Sequence, residues 1–375
     1  MRIGFTGGGT GGHFYPIIAV AQAINKIVAE EKLLEPELYY FGPTKYDDRA
    51  LFEERINFRQ IPAGKLRLYF SLENITDLFK TLMGFIKSLT TLFSLFPDVI
   101  FSKGGYASFP ILLASRILGI PVVIHESDTI PGRVNLWSAK FAKAIAISYP
   151  QVAKYFPKEK VALTGNPIRT ELLKPEYSGA HEFLKLEKDI PVILVIGGSQ
   201  GALNINEVMI KTVPRLIDKY QIIHQTGEEH YESIVQIMNS ELANNPNRDR
   251  YKIFPFLNNL AMRMSAGVSD LIISRAGSSI FEIALWGIPS IIIPIPQTIS
   301  RDQRTNAFSY AETGAAVVIE EANLDDDILI SQISNIMESK DKIDNMKKSA
   351  IAFARKDASE KIAKKVLAIA LEHQK

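Results

Sequence analysis

The sequence predicts an α/β protein with two Rossmann-like, parallel-sheet domains facing one another across a cleft. Short buried-strand patterns alternate with helical ones along most of the chain, as expected of parallel sheets covered by helices. A strand, a glycine-rich loop and a helix start stand at the N-terminus: Arg2-Ile3-Gly4-Phe5, Gly7 to Gly12, then Ile17, Ile18, Val20, Ala21 and Ile24 at helical spacing. The same unit returns about half a chain later as Val192 to Ile196, Gly197-Gly198-Ser199-Gln200-Gly201 and Ala202 to Leu216. A length of 375 residues suits two domains of ordinary size.

Composition narrows the classes. With 46% hydrophobic and 22% charged residues the chain reads as globular, and with no cysteine it has no disulfide, thiolate nucleophile or Cys-ligated metal. The chain starts directly on a strand, without a basic-then-apolar leader, so no secretory signal is expected. No apolar run reaches the ~20 residues a spanning helix needs, so the chain is not expected to cross a membrane. To Asn166 there are 19 Lys and Arg against 14 Asp and Glu, a balance of +5; the remainder carries −3 of the total +2.

Taken in order, Leu38 to Phe41, Val99 to Phe101, Val122 to Ile124, Ala144 to Ile147 and Val161 to Leu163 read as strands of the first sheet. Ile222 to His224, Tyr251 to Phe254, Leu271 to Ile273 and Ile291 to Ile293 continue the second. Ligands of such sheets lie beyond the carboxyl ends of the strands. The polar loops Ser102 to Tyr106, His125-Glu126-Ser127-Asp128 and Thr164 to Pro167 are therefore candidate site segments. Between Leu66 and Phe96 an unusually apolar helix is expected from Asn74, a plausible N-cap, with Lys65, Arg67, Lys80 and Lys87 nearby. It fits either an interfacial helix on anionic lipid or a helix sandwiched between sheet and neighbour. A last helical pattern covers about Asp341 to Glu372.

Gly7-x-Gly9-x-x-Gly12 matches the dinucleotide fingerprint, but the second strand ends at Phe41-Gly42-Pro43, without the acid that binds ribose. Neither glycine loop is followed by Lys-Ser or Lys-Thr, which excludes a P-loop. A third loop, Leu271 to Glu282, is a strand, a small-residue turn and a helix start. A helix N-terminus there can hold a diphosphate, while a carboxylate about one turn on, Glu282, can accept two ribose hydroxyls or simply complement the helix dipole. His13 puts one imidazole in the first anion-binding loop.

Seven ordered motifs carry a resemblance: Gly8-Gly9-Thr10-Gly11-Gly12-His13; Lys103 to Tyr106; His125 to Asp128; Gly165-Asn166-Pro167-Ile168-Arg169; Gly197 to Gly201; Ser274-Arg275-Ala276-Gly277 with Glu282; and Asp302-Gln303 with Asn306-Ala307. Together they resemble the MurG family, bacterial N-acetylglucosaminyltransferases of glycosyltransferase family 28 that convert peptidoglycan lipid I to lipid II. The resemblance implies a GT-B fold with an N-terminal acceptor and membrane-docking domain over 1–166 and a donor domain over 167–348. A C-terminal helix over 349–375 is expected to pack back on the first domain.

By the same resemblance UDP-N-acetylglucosamine is the donor. The backbone at Phe256-Leu257 takes the uracil, Glu282 the ribose, Ser199, Ser278, Ser279 and Ile280 the diphosphate, and Gln303 the sugar hydroxyls. Arg169 lines the donor site, as do Thr10, Gly11 and Gly12. Lipid I, an undecaprenyl-pyrophosphoryl-N-acetylmuramoyl-pentapeptide, is the acceptor, with its pyrophosphate near Gly9, Thr10, Gly11, Gly104, Gly105 and Tyr106. His13 is the candidate base, and Asp128 is its alternative or its orienting partner. Arg275 or Arg169, with the helix N-termini, stabilises the leaving diphosphate.

No metal, cofactor or nucleic acid is expected. An anionic membrane surface is the expected partner of segment 66–96, which places the protein peripherally at the cytoplasmic face of the bacterial plasma membrane. The competing readings are a GT-B transferase for another lipid acceptor, a non-catalytic sugar-nucleotide-binding scaffold and, more distantly, a nicotinamide enzyme.

Overall fold

The computed structural model describes residues 1–65, 73–198, 201–297 and 303–373. The chain divides into two compact units, Met1–Thr170 with Arg355–Lys375, and Glu171–Ala354.

The first unit is built on seven parallel strands: β1 (Arg2–Thr6), β2 (Glu37–Gly42), β3 (Ile56–Gln60), β4 (Val99–Ser102), β5 (Val122–Glu126), β6 (Ala144–Ile147) and β7 (Val161–Leu163). Their spatial order is β3-β2-β1-β4-β5-β6-β7. Helices cover both faces, so the central strands are apolar on both sides. Ile3, Phe5 and Phe101 share a core with α1 (Gly11–Glu30), and Phe41, Ile100, Ile124 and Ile145 share the opposite core with α3 (Phe109–Leu118).

Between those helices in sequence, α2 (Glu73–Leu95) begins ahead of Asn74, which therefore lies inside the helix and does not cap it. Ser88 and Leu92 are buried, while Leu78, Phe79, Leu82, Met83, Ile86 and Phe93 are exposed. Contrary to the sequence reading, Thr76–Leu95 is long and apolar enough, by length and composition, to cross a membrane. Its buried side packs with the core residues of α3, and Asp77 is buried at its start, so one flank is a wall of the domain.

The second unit repeats the plan with six parallel strands: β8 (Val192–Ile196), β9 (Gln221–Gln225), β10 (Tyr251–Phe254), β11 (Leu271–Ser274), β12 (Ser290–Ile292) and β13 (Ala316–Val318). Their order is β10-β9-β8-β11-β12-β13. Ile193 and Val195 face α4 (Leu203–Leu216), and Leu194 and Ile196 face α5 (Ser279–Trp286). Beyond α6 (Gln303–Ala311), the terminal helical pattern is two helices, α7 (Lys340–Phe353) and α8 (Ala358–His373), because Ala354 leaves helical geometry at φ −64°, ψ 144°. Ile362, Ala363, Val366 and Leu367 of α8 enter the core of the first unit beside Ile17 and Ile24.

Each sheet grows outward from its first strand to its third and then restarts on the other side. The order reverses between β1 and β4, and again between β8 and β11. At such a switch point the loops leaving neighbouring strands diverge and open a crevice. The registers Thr6↔Ser102 and Ile196↔Ser274 set the loops of each pair side by side.

Candidate active site

In the first unit the chain leaves β1 through Gly7–Thr10 and enters α1 at Gly11. The first helical amides, at Gly11 and Gly12, have no upstream helical carbonyl to donate to, and the helix dipole adds partial positive charge there. The loop after β4 closes against this turn. Gly105 has φ +81°, and a Cβ on it would stand 3.2 Å from the Gly8 backbone, so only glycine allows this approach. Gly9 lies against the Tyr106 ring, and Gly104 against the Asn135 amide.

His13 sits within this junction. Its Nδ1 is 2.9 Å from Thr10 Oγ1, and its Nε2 faces Gly105. When Nδ1–H donates to the threonine hydroxyl, Nε2 carries the lone pair and is the atom able to take a proton. Burial among the loops, and then the nearby Lys103 charge, push the His13 pKa down to about 3, so the ring is neutral at physiological pH.

Asp128 lies just past β5 on a loop that Glu126 holds. The Glu126 carboxylate accepts from Asp128 N at 3.0 Å, Gly132 N at 2.9 Å and Asn135 Nδ2 at 3.0 Å. Burial and the Asp128 charge raise its pKa to about 7, against the opposing pull of Lys103. Lys103 is itself buried, which lowers its pKa, while Glu126 and Asp128 push it up. Both His13 and Asp128 thus interact with the charge of Lys103, and the structure gathers Gly9, Thr10, Gly11, Gly12, His13, Gly104, Gly105, Tyr106 and Asp128 around one switch point. Arg169 also belongs to the first unit, with its guanidinium 3.8 Å from the centroid of the Tyr15 ring on α1.

In the second unit Ser199 and Asp302 lie outside the described residues. Ser278 and Ser279 stand at the start of α5, with Ser279 Oγ 3.1 Å from Ser274 Oγ. Glu282 is half-buried one turn further on. Gln303 opens α6, where its Oε1 accepts from Ile295 N at 3.3 Å and its amide lies beside Gly277. Ser278, Ser279, Glu282 and Gln303 therefore share the β11–α5 loop region.

Two expectations are limited by packing. The Ile280 side chain is fully buried in the core, and its N–H donates to Gly277 O at 3.3 Å. Leu257 is likewise buried, and its N–H is spent on Gln225 Oε1 at 3.0 Å, so of its two backbone groups only the carbonyl remains a candidate for the uracil. Phe256 beside it is half-exposed. One expectation fails: Arg275 does not stand free to meet a diphosphate. It donates to Ile293 O at 3.1 Å and pairs with Glu321, which also accepts from Asn204 Nδ2 at 2.5 Å. A guanidinium this buried is retained with a counter-charge.

Sequence reasoning gave no role to Lys103, Glu126, Asn135 or Gln225. The available signal was position: Lys103, Glu126 and Gln225 are polar residues at the carboxyl ends of buried strands, where ligand-facing loops begin.

Residues 3–147 match the Glycosyltransferase family 28 N-terminal domain, and residues 192–362 the Glycosyltransferase family 28 C-terminal domain. A Natranaerobius thermophilus protein named UDP-N-acetylglucosamine--N-acetylmuramyl-(pentapeptide) pyrophosphoryl-undecaprenol N-acetylglucosamine transferase is 35% identical over 370 residues, covering 97% of this chain and 98% of that protein. A protein of the same name from Treponema denticola is 34% identical over 370 residues, covering 93% of each chain. The crystal structure of Acinetobacter baumannii MurG matches with a TM-score of 0.74 at 25% identity, covering 98% of this chain and 99% of that one.

Proposed function

The chain belongs to glycosyltransferase family 28, and from that premise we propose how its two units share one reaction. It moves N-acetylglucosamine from UDP-N-acetylglucosamine to undecaprenyl-pyrophosphoryl-N-acetylmuramoyl-pentapeptide, converting lipid I to lipid II with inversion at the sugar carbon. The observation that carries the reading is the near full-length match to relatives named for this reaction, in a chain with polar groups gathered at both switch points.

The first unit takes the acceptor. Its pyrophosphate is held by the amides of Gly11 and Gly12 and by the turns at Gly9, Thr10 and Gly104 to Tyr106. As the acceptor hydroxyl oxygen bonds to C1, its proton passes to His13 Nε2, with Asp128 as orienting partner or alternative base. A bound pyrophosphate beside His13 raises the pKa of the ring from its low unliganded value, toward that of an effective base. The C1–O bond to phosphate breaks in the same step, and its electron pair leaves with UDP.

The second unit holds the donor. The Leu257 carbonyl accepts from the uracil N–H, Glu282 accepts from the ribose hydroxyls, and Gln303 meets the sugar hydroxyls. Ser199 and the amides at Ser278 and Ser279 stabilise the charge that develops on the diphosphate. Ile280, with its side chain in the core and its N–H donated to Gly277 O, holds the turn and not the diphosphate.

A lipid-linked acceptor requires the enzyme to reach a bilayer. The exposed Leu78, Phe79, Leu82, Met83, Ile86 and Phe93 of α2, with exposed Lys80 and Lys87, suit an anionic headgroup surface at the cytoplasmic face. Each such lysine contributes on the order of 1 kcal/mol. The deciding experiment is turnover of the purified protein with UDP-N-acetylglucosamine and a short-chain lipid I analogue, with EDTA present. Transfer of N-acetylglucosamine is expected; donor binding without transfer, in an assay where a known family member works, overturns the acceptor assignment.

A further inference from the structure

β9 ends in two polar side chains that point to opposite faces of the sheet, as the alternation of a strand requires. His224 faces α4, where Nε2 lies 3.0 Å from Asn206 Oδ1, and its Nδ1 lies 2.7 Å from the Tyr251 hydroxyl. Gln225 faces the other side and is 3% exposed. Its Nε2 donates to Gly198 O at 2.9 Å, and its Oε1 accepts from Leu257 N at 3.0 Å. The amide orientation is settled by these partners, because a flipped amide would set donor against donor and acceptor against acceptor.

The two partners lie on different elements. Gly198 belongs to the loop after β8 and holds φ +100°, and Leu257 follows β10. In the donor reading above, on which this inference rests, the first element meets the diphosphate and the second the uracil. We propose that Gln225 is a positioning residue that sets the spacing between the base subsite and the diphosphate subsite. Glutamine suits the position by having one donor and one acceptor at this length. Glutamate lacks the donor, and methionine lacks both.

The test is calorimetric titration of the full-length protein with UDP and with uridine, in the wild type and in two variants whose melting temperatures are recorded alongside. Gln225→Glu, at pH 8, keeps an acceptor for Leu257 N–H and loses the donor to Gly198. The expected result is UDP affinity reduced about tenfold, with uridine affinity within about twofold of wild type. Gln225→Met loses both bonds and keeps the volume, and the ratio of uridine Kd to UDP Kd is again expected to fall about tenfold. General loosening of the unit would weaken both ligands alike and leave that ratio unchanged. An unchanged ratio in both variants, or unaltered UDP affinity, overturns the positioning role. A wild type that binds no UDP overturns the donor reading itself, a failure visible before any variant is compared.

Discussion

In the first unit, the glycine loop after the opening strand is surrounded by groups whose proton affinities are displaced: His13 is pushed down to about 3, Glu126 up to about 7, and Lys103 downward by burial. In the second unit, the corresponding loop is tied by the neutral amide of Gln225, and His224, also pushed down to about 3 but by burial alone, has both ring nitrogens occupied by Tyr251 and Asn206. Among the described residues of that unit, Arg275 is paired with Glu321 and Arg304 with Glu320. In the proposed reading, one supersecondary unit, used twice, thus serves two kinds of chemistry. What separates the two histidines is their surroundings: His13 Nε2 faces the Gly105 turn beside the Lys103 charge, whereas both nitrogens of His224 are spent on hydrogen bonds inside the core.

The sharpest attack on this contrast is His13→Ala. Turnover should fall roughly 10²- to 10⁴-fold while UDP affinity stays within about twofold, as steady-state rates and titration calorimetry would show; wild-type turnover would remove His13 as the base and leave Asp128. In the proposed reading the lipid surface belongs to that unit as well. Replacing both Phe79 and Leu82 by Glu should reduce co-sedimentation with anionic vesicles by about 30-fold or more, since each large apolar side chain contributes about 1.5–3 kcal/mol when fully buried. Vesicle binding at the wild-type level would return α2 to a purely structural role.

On the donor side, Glu282→Ala should raise the KM for UDP-N-acetylglucosamine about tenfold with little change in kcat, the loss of one or two hydrogen bonds to ribose. A fall in kcat at constant KM would place this residue in the chemical step and blur the division between units.

The smallest effect concerns Glu126. Its folded pKa of about 7 stands above the ordinary 4.5, so the folded protein holds this proton more tightly than the unfolded chain. That contribution to stability is complete below the ordinary value and is lost as pH rises toward 7. Glu126→Gln should remove the loss and shift the change in melting temperature between pH 5 and pH 8 by a few degrees. An identical pH dependence in wild type and variant would show that Glu126 ionises freely, so that the first unit has one displaced group fewer.

The sequence by itself determines the two parallel-sheet units, because the evidence for them is local. Apolar runs such as Val192 to Ile196 and glycine loops such as Gly197 to Gly201 announce strand, turn and helix within a dozen residues. The loops that leave β1, β4, β5, β8 and β11 could be singled out for the same reason. The edge strands β3 and β13 escape this reading, since Ile56–Gln60 carries polar residues toward solvent and Ala316–Val318 spans only three positions. The break at Ala354 escapes it because both flanking segments have helical periodicity.

What only the tertiary structure decides is the partner of each buried polar group. Arg275 and Glu321 are 46 positions apart, yet their pairing removes the arginine from the candidate leaving-group contacts. Gln225 is separated from Leu257 by 32 positions and from Gly198 by 27. Spacing along the chain gives no sign of such contacts. They follow from which strands become neighbours, and from the cost of burying an amide or a charge without a partner.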